Sequence, residues 1–352
     1  MPLSIGFIGF GNINRVHAKS AQQLGFDLVA AADIKPVALD EATRQFNIAK
    51  TYDDHRDLVA DPDITAVVVG TPNKFHAEHA IAALRAGKHV FLEKPMALNA
   101  GEADAIIAAR DASGGKIVQL GMVNRFKSSV QALKHFVDAG RCGDIYSAQT
   151  WWYRRRGIPG FGGWFTTKSI SGGGALIDIG VHMLDLAVYL MGFPKPVAVS
   201  GATYNLFDKL EEYKYTSMWG NPTPGGLKDV DDYALAVIRF DGGQTLQLNI
   251  SWALHIEQLE PESGLRLMGK KGGIALRGLD SPLVVGEEAG HVVDITPMYS
   301  PNEPFVEEMK HFAECIEQGK KPTPSAEQGR TVQSILDAIY RSGEQGREVK
   351  VE

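Results

Sequence analysis

The first third of the chain alternates short apolar runs with amphipathic stretches. Two of these stretches, at 75–86 and 99–112, have the 3.6-residue apolar spacing of helices. The apolar runs predict strands and lie at 4–10, 27–33, 64–70, 89–92 and 116–122. Strands that are apolar at almost every position and alternate with helices are typical of a parallel sheet covered on both faces. Residues 1–123 are therefore predicted to form a doubly wound α/β domain of the Rossmann type.

From about residue 125 the pattern changes to strands that follow one another with turns between them. After a helix predicted over 125–139, the strand-like segments lie at 145–154, 197–204, 233–240, 245–253, 265–268 and 273–276. The glycine-containing sequences at 241–243 and 269–272 each join two of these segments and are hairpin signals. Residues 124–352 are therefore predicted to form an α+β domain with an open, mainly antiparallel sheet.

Two further helices are predicted near the carboxyl end, both within this second domain. The first is indicated by an apolar stripe at Phe305, Met309, Phe312 and Ile316. The second covers 326–341 and is the last element of the chain.

Length, charge and cysteine content narrow the class of protein. A chain of 352 residues favours two domains, and a net charge of −6 argues against nucleic-acid binding. Cys142 and Cys315 are too few for a disulfide framework or a zinc ribbon and are expected to be reduced thiols. No apolar run has the length expected of a membrane span, and residues 1–10 lack the basic leader of a signal peptide. We therefore expect a cytoplasmic protein that binds neither nucleic acid nor a membrane.

A glycine-rich turn, Gly9-Phe10-Gly11-Asn12-Ile13, connects the first predicted strand to a helix. Its glycines permit a tight turn and close approach of a ligand to the backbone, and the helix amino terminus offers N–H groups to a pyrophosphate. The pattern indicates dinucleotide binding, although glycine-rich turns are frequent between strands and helices. Asn14 replaces the third glycine of the fingerprint, which governs helix–strand packing, so a slightly displaced helix is expected.

Asp33 lies at the end of the second predicted strand, 22 residues after Gly11. An acidic residue at this place hydrogen-bonds the adenosine ribose and repels a 2′-phosphate, which favours NAD over NADP. Lys35 lies close by and softens that repulsion. The alternative is an aspartate that only caps the end of the strand.

Two further motifs follow later strands of the same predicted sheet. Thr71-Pro72-Asn73 and His76 lie at the carboxyl edge, where dinucleotides bind, although Asn73 has the alternative role of a helix cap. Glu93-Lys94-Pro95 ends the fifth strand at that edge, where an ammonium group stabilises an alkoxide or holds a substrate hydroxyl. The alternative for Lys94 is an ion pair or a solvated side chain. Its bond to Pro95 is a candidate cis peptide.

The most informative motif is the flexible loop Gly172-Gly173-Gly174, followed on a predicted helix by Asp178, His182 and Asp185. Residues at i, i+4 and i+7 share a helical face, so the three side chains are expected to point into one cleft. An imidazole accepts a proton near neutral pH, which suits His182 to act as a general base. One alternative is a buried histidine satisfied by its aspartate neighbours. A metal site is the other alternative; we predict no metal, because hydride chemistry on a nicotinamide needs none.

Taken together, these motifs resemble those of the Gfo/Idh/MocA oxidoreductase family. The resemblance spans almost the whole chain and is carried by the glycine-rich turn, by Glu93-Lys94-Pro95 and by the segment from Gly172 to Asp185. It implies that Lys94, Asp178 and His182 are catalytic and also bind the substrate, a carbohydrate or polyol. The chain departs from the family's pattern at Asn14 and in an insertion-like segment at 206–229.

The same resemblance implies the cofactor contacts and the assembly. A nicotinamide cofactor is expected near Glu93, Lys94, Asn124, Arg125 and Trp164. A homodimer or homotetramer is expected to form through the open face of the second-domain sheet.

An aromatic and basic stretch at 150–157 leads into a glycine-rich loop at 160–165. Aromatic faces stack on the C–H faces of sugars, and arginines bind hydroxyls or carboxylates. Tyr153 is therefore expected to contact the substrate, Trp164 to lie near it, and His255 is a further candidate. The alternative is packing in the sheet or in a dimer interface, since alternate residues of a strand face opposite ways.

The sequence thus predicts an NAD-dependent dehydrogenase or reductase that acts on a secondary alcohol of a sugar, glycoside or cyclitol. One alternative is a glycoside-cleaving enzyme that oxidises, eliminates and re-reduces its substrate with NAD recycled. The other is a dinucleotide-sensing regulator without turnover, against which the joint presence of Lys94, Asp178 and His182 speaks.

Overall fold

The computed structural model describes residues 3–215 and 220–352 and divides the chain into two compact units. Residues 216–219, within the insertion-like segment, lie outside the described residues. The first unit comprises Met1–Val123 and Glu303–Gln333, and the second comprises Asn124–Asn302 and Ser334–Glu352. The division after residue 123 falls where the sequence analysis placed it, but 303–333, expected in the second domain, belongs to the first unit.

The helices and strands follow each other in the order that the sequence pattern indicates. The strands are β1 (Ser4–Ile8), β2 (Asp27–Ala32), β3 (Lys50–Tyr52), β4 (Ala66–Val69), β5 (His89–Glu93), β6 (Val118–Gly121), β7 (Ile145–Tyr153), β8 (Pro196–Tyr204), β9 (Tyr233–Phe240), β10 (Thr245–Ser251), β11 (Ser263–Gly269), β12 (Gly272–Arg277), β13 (Ser281–Glu288), β14 (His291–Ile295) and β15 (Val349–Lys350). The helices are α1 (Asn12–Gln23), α2 (Pro36–Phe46), α3 (His55–Ala60), α4 (His76–Arg85), α5 (Ala100–Asp111), α6 (Ser128–Asp138), α7 (Lys168–Ser171), α8 (Val181–Leu190), α9 (Pro304–Gln318) and α10 (Ala326–Gln345).

The first unit is built on a six-stranded parallel sheet with the order β3-β2-β1-β4-β5-β6. All four residues of β4 are buried, which explains its uninterrupted apolar run. The strand order reverses between β1 and β4, and ligands of such sheets bind beside the carboxyl ends of the strands at that point. The loops after β1, β4 and β5 carry the predicted motifs, and the predicted doubly wound fold is confirmed.

Helix α9 packs in the core of the first unit. Met309 and Phe312 are fully buried there, and the Phe312 ring lies 5.7 Å from the ring of Phe91 in β5. The apolar stripe correctly indicated the buried face of this helix. It placed the helix in the wrong domain because periodicity shows that a face is buried but not which core it enters.

The second unit is built on a nine-stranded sheet with the order β14-β13-β12-β11-β7-β10-β9-β8-β15. Neighbouring strands are antiparallel except β7 and β10, which are parallel, so the predicted mainly antiparallel sheet is confirmed. Burial alternates along β7: Ala148 and Thr150 are buried on the face against which α8 packs. Trp151 and Tyr153 lie on the opposite, open face, because successive residues of a strand face opposite ways.

The stretch Lys168–Leu190, which contains α7 and α8, is by length and composition alone apolar enough to cross a membrane. This differs from the expectation that no apolar run has that length. Its most apolar window has a mean hydropathy of 1.4 and is 83% buried inside the protein. Such burial is what the core helix of a globular domain shows, so the signal is weak as an indication of a membrane span.

Candidate active site

The turn after β1 has the shape that close approach of a ligand requires. Gly9 has a φ of +80°, and a Cβ on it would lie 2.5 Å from Thr71 Cγ2, so only glycine fits. A Cβ on Gly11 would meet no heavy atom within 4 Å, and Gly11 precedes α1 without a capping side chain. The first turn of α1, which begins with Asn12 and Ile13, is therefore open to an anion such as a pyrophosphate.

Asn14, at the position of the third glycine, is fully buried and hydrogen-bonds the backbone. Its Nδ2 donates to the carbonyl oxygens of Gly9 at 2.9 Å and Ile8 at 3.1 Å. Its amide lies beside Gly70, where a Cβ would be 2.6 Å from Asn14 Oδ1. Gly70 thus provides the room that Asn14 needs, and the departure from the fingerprint is compatible with a nucleotide-binding turn.

The carboxylate of Asp33 is fixed beside the same turn. Its Oδ2 accepts a hydrogen bond from the N–H of Phe10, and its Oδ1 accepts one from the N–H of Lys35, both at 2.8 Å. One hydrogen bond to each oxygen sets the plane of the carboxylate. Asp33 therefore lies against the glycine-rich turn, where a ribose-binding acid is needed.

His76 joins the turn after β4 to the turn after β5. Its Nε2 lies 2.8 Å from the carbonyl oxygen of Thr71, and its Nδ1 lies 2.7 Å from that of Pro95. Burial lowers the pKa of His76, partly opposed by these two carbonyl acceptors. Both ring nitrogens are engaged by backbone carbonyls, and the cofactor contact of His76 stays a prediction. The neighbouring Pro72-Asn73 peptide leads into a single helical turn, and its cofactor contact stays a prediction.

Glu93 is buried and pairs with a residue that sequence reasoning missed. His17 Nε2 lies 2.6 Å from Glu93 Oε1, and the N–H of Lys94 donates to Glu93 Oε2 at 3.1 Å. Burial raises the pKa of Glu93, but the hydrogen bonds and charges of His17 and Lys94 outweigh it and hold that pKa below its ordinary value. Glu93 therefore anchors Lys94 to α1, and its predicted cofactor contact stays a prediction. The one sequence signal for His17 was its position as a polar residue on the buried face of α1.

Lys94 is presented at the carboxyl edge of the first unit's sheet. Residues 91–93 and 95–97 are buried, whereas Lys94 is partly exposed. Its peptide bond to Pro95 is cis, as the sequence indicated. Glu93 and His76 fix the backbone on the two sides of Lys94, so its side chain projects from a rigid support.

In the second unit, Asp178 and His182 lie on one helical stretch. A π turn at Leu176–Gly180 leads into α8, and such turns are frequent at functional sites. Between residues 173 and 190, the partly exposed positions are Asp178, His182 and Tyr189, and every other residue is buried. A carboxylate and an imidazole therefore reach the surface about one turn apart on an otherwise buried helix.

The glycine loop before this helix is tightly packed, which corrects the expectation of a flexible loop. A Cβ on Gly174 would lie 1.9 Å from the carbonyl oxygen of Asp231, and one on Gly173 would lie 2.0 Å from Tyr340 Oη. The Asp231 carboxylate accepts hydrogen bonds from the N–H groups of Gly174 at 2.8 Å and Leu176 at 2.9 Å. These glycines are needed for close approach of the backbone.

Trp252, which directly follows β10, contacts Asp178. The indole is fully buried, and its Nε1–H donates to Asp178 Oδ2 at 3.0 Å. A tryptophan at the end of an apolar strand is typical of a core residue, so no sequence pattern indicated this contact.

Asp185 does not share the surface of Asp178 and His182, and the expectation of one common cleft is wrong. It is fully buried, with Oδ1 2.6 Å from Arg125 Nη2 and Oδ2 2.7 Å from Arg125 Nε. The Arg125 guanidinium also lies 4.7 Å from the centre of the Tyr189 ring. Asp185 is therefore one half of a buried ion pair. The described residues contain no cluster of three or more His, Cys, Asp or Glu side chains able to hold a metal ion.

Asn124 and Arg125 lie in a buried helical turn at Val123–Phe126. The Arg125 side chain is 2% exposed, and Asp185 engages it on two nitrogens. The cofactor contacts implied for both residues stay predictions.

Tyr153 lies on the open face of the nine-stranded sheet. It pairs in register with Ser251, which pairs with Tyr233, so these residues share a face. Helix α8 packs against the other face, and the structure therefore does not bring Tyr153 to the helix that carries His182. The predicted substrate contact of Tyr153 stays a prediction.

The glycine-rich loop at 160–165 is covered by the described part of the 206–229 segment. The rings of Phe161 and Tyr213 lie 5.8 Å apart, and Thr223 N–H donates to the carbonyl oxygen of Phe161 at 2.8 Å. Trp164, in the same loop, stacks on Phe165 at 3.8 Å, and its cofactor contact stays a prediction.

His255 is exposed and lies beside the arginine-rich stretch. Its Nδ1 lies 3.0 Å from Arg156 Nη2, and its ring centre lies 5.3 Å from that of Phe207. The structure therefore places this candidate in an arginine–aromatic cluster of the second unit, and its role in the reaction stays a prediction.

Two family models match the chain. Residues 3–122 match an oxidoreductase family described as having an NAD-binding Rossmann fold. Residues 134–351 match the carboxyl-terminal α/β domain of the same oxidoreductase family.

Individual relatives have the same length and fold. D-glucoside 3-dehydrogenase of Escherichia coli K12 is 31% identical over 99% of this chain and 98% of its own length. Myo-inositol 2-dehydrogenase of Thermotoga maritima is 26% identical over 99% of both chains. A solved structure of levoglucosan dehydrogenase in complex with NADH and levoglucosan superposes with a TM-score of 0.85 and 26% identity, covering both chains completely.

Proposed function

The chain belongs to the Gfo/Idh/MocA oxidoreductase family and carries its NAD-binding Rossmann domain, and we propose that it oxidises a secondary alcohol of a sugar, glycoside or cyclitol. The names of its relatives, which act on D-glucosides, myo-inositol and levoglucosan, support this substrate class. The observation that carries the proposal is the pair Asp178 and His182, which reach the surface from a helix that is otherwise buried. Oxidation of an alcohol needs such a group to take the hydroxyl proton.

The nucleotide-binding turn fits the cofactor. Gly9 and Gly11 leave the backbone accessible, the amino terminus of α1 attracts the pyrophosphate, and Asp33 is held in place to bind ribose hydroxyls. When bound, the nicotinamide accepts a hydride from the substrate carbon.

The chain's own side chains transfer the hydroxyl proton and stabilise the negative charge that develops on the substrate oxygen. We assign His182 as the base that takes the hydroxyl proton, and as the acid in the reverse direction. Asp178 orients His182 or binds a neighbouring substrate hydroxyl. The ammonium of Lys94, on its fixed support, stabilises the negative charge that develops on the substrate oxygen.

Asp33→Ala is expected to reduce the preference for NAD over NADP by at least about 10-fold, because the acid that repels a 2′-phosphate is removed. The measurement is the dissociation constant of each dinucleotide, obtained by titration without substrate. Asp27→Ala, an exposed aspartate at the start of the same strand, is the matched control and should leave the preference unchanged. An equal preference for NAD over NADP in the Asp33 variant and the native protein would show that another residue distinguishes the two cofactors.

The test of the function is incubation with NAD and a panel of sugars, glycosides and polyols, followed by absorbance at 340 nm and by product analysis. Accumulation of NADH with one of these substrates is the expected result and names the substrate class. Cleavage of a glycoside without net NADH would replace this proposal by internal oxidation, elimination and reduction. Tight NAD binding without turnover of any compound would instead favour a dinucleotide-sensing regulator.

We also propose that the chain forms a homodimer or homotetramer through the open face of the nine-stranded sheet. Three tyrosines support this: Tyr204 and Tyr233 stack at 5.7 Å on that face, and Tyr153 is in register with them. Aromatic side chains on an uncovered sheet face are typical of an interface. Light scattering should give a mass of two or four chains of 38.2 kDa, and a monomer at micromolar concentration would contradict the proposal.

A further inference from the structure

We propose that Trp252 is a positioning residue for the reaction, because its buried indole N–H holds the Asp178 carboxylate in one orientation. The inference rests on the proposed function, in which Asp178 orients His182 or binds the substrate. The Trp252 side chain is fully buried, and its indole N–H donates to Asp178.

The hydrogen bond between Trp252 and Asp178 has a fixed direction. An indole Nε1–H only donates, so the Asp178 Oδ2 at 3.0 Å accepts it. A donor to a charged carboxylate forms a stronger hydrogen bond than one between neutral groups. A buried N–H without an acceptor is costly, so the fully buried indole strongly favours the side-chain conformation of Asp178 that meets it.

The backbone of Trp252 is held on both sides. Its N–H donates to the carbonyl oxygen of Asp232 at 2.8 Å, and its own carbonyl accepts from the N–H of Gly157 at 2.7 Å. The Asp232 carboxylate in turn accepts from the N–H groups of Leu206 and Phe207 at 2.7 and 2.9 Å. The indole therefore projects from a chain position that leaves it little freedom.

The backbone beneath Asp178 is fixed by the residue next to Asp232. Asp231 binds the N–H groups of Gly174 and Leu176, just before Asp178 in the π turn. Tyr340 Oη donates to the same carboxylate at 2.7 Å. Asp231 thus fixes where the helix starts, and Trp252 fixes where the Asp178 side chain points. Asp178 is partly exposed, so the indole N–H competes with water for its carboxylate.

The first test is Trp252→Phe, which keeps an aromatic ring in the core and removes the N–H. Loss of a hydrogen bond to a charged group predicts a fall in kcat of about 10- to 100-fold. The KM and dissociation constant for NAD should not change, because neither Trp252 nor Asp178 is among the predicted cofactor contacts. Trp151→Phe, a half-buried tryptophan on the open face of the sheet, is the matched control and should keep native kcat.

A double-mutant cycle separates positioning from a general packing role. In the Asp178→Ala background, Trp252→Phe should change kcat by less than about two-fold, because the acceptor that the indole acts through has been removed. If Trp252→Phe costs the same factor in both backgrounds, Trp252 acts independently of Asp178 and the proposal is overturned.

A third readout needs no substrate. The chain has five tryptophans, so ¹H–¹⁵N spectra should show up to five indole N–H signals, of which Trp252→Phe identifies one by its loss. Asp178→Asn should shift that signal and leave the others in place; an unshifted signal overturns the proposal whatever the activity. If no compound of the panel is oxidised, the proposed function fails, while this signal still decides whether Trp252 holds Asp178.

Discussion

His182→Ala is expected to lower kcat by about 10³-fold while NAD binding stays within about two-fold of native. The range for removing a general acid–base group is about 10²- to 10⁴-fold, and alanine leaves nothing in its place to take the hydroxyl proton. The NAD dissociation constant should not change, because His182 is assigned to proton transfer and is not among the predicted cofactor contacts. The measurements are kcat by NADH formation and NAD affinity by titration.

Two outcomes of this experiment would count against the assignment. Native kcat in the His182 variant would remove this residue from the catalytic set, and a large loss of NAD affinity would assign it to cofactor binding instead. His291→Ala, an exposed histidine in β14, is the control for loss of an imidazole and should behave as native. The His182→Ala variant should also keep the native unfolding midpoint, because a folding defect would lower it.

Lys94→Ala belongs to the same prediction and should lower kcat to a similar extent. It removes the ammonium that stabilises the developing oxyanion, and loss of one such donor costs about 10²- to 10³-fold. Glu93 and His76 hold the backbone around Lys94, so the alanine variant should keep the turn intact. Lys19→Ala, on the exposed side of α1, is the control. Native kcat in the Lys94 variant would show that another group stabilises the oxyanion.

The fold was predictable from the sequence where local pattern decides it. Uninterrupted apolar runs such as β4 indicate a parallel sheet, and the glycine-containing turns at 241–243 and 269–272 indicate hairpins. The three-residue strand β3 gives no apolar run, and the β13–β14 hairpin has exposed polar positions that weaken its alternation. The location of α9 depends on which core its stripe enters, and no local pattern contains that information.

The candidate site was predictable to the level of residue type and motif. Gly9, Asp33, Lys94, Asp178 and His182 were named from motifs and from the family resemblance, and their roles in the reaction stay predictions. What the sequence could not show is how these side chains are held.

The supporting contacts join residues that are far apart along the chain. His17 meets Glu93, Asp231 meets Gly174, and Trp252 meets Asp178. Each supporting residue occupies a buried position that is equally typical of a core residue. Only the folded chain therefore distinguishes a supporting role from ordinary core packing. Asp185 was expected on the face of Asp178 and His182, but it is buried against Arg125, a partner that spacing along the helix does not reveal.

Asp185→Ala is expected to lower the free energy of unfolding of the second unit by about 3–5 kcal/mol. That is the usual cost of removing one partner from a buried ion pair, because the other charge is left uncompensated. Here the remaining charge is the guanidinium of Arg125, which is 2% exposed and lies between the rings of Tyr189 and Phe193 at 4.7 and 5.0 Å. The two ring faces stabilise a cation only in part, so they do not replace the carboxylate.

Urea denaturation followed by tryptophan fluorescence measures this loss selectively, since all five tryptophans belong to residues of the second unit. Asp138→Ala, which breaks the exposed Lys134–Asp138 pair on α6, is the control and should leave the midpoint unchanged. Replacing both partners, as Arg125→Met with Asp185→Leu, should recover most of the stability, because two apolar side chains leave no buried charge. If the double variant is as unstable as Asp185→Ala, packing rather than charge explains the loss, and the buried pair is not what stabilises α8.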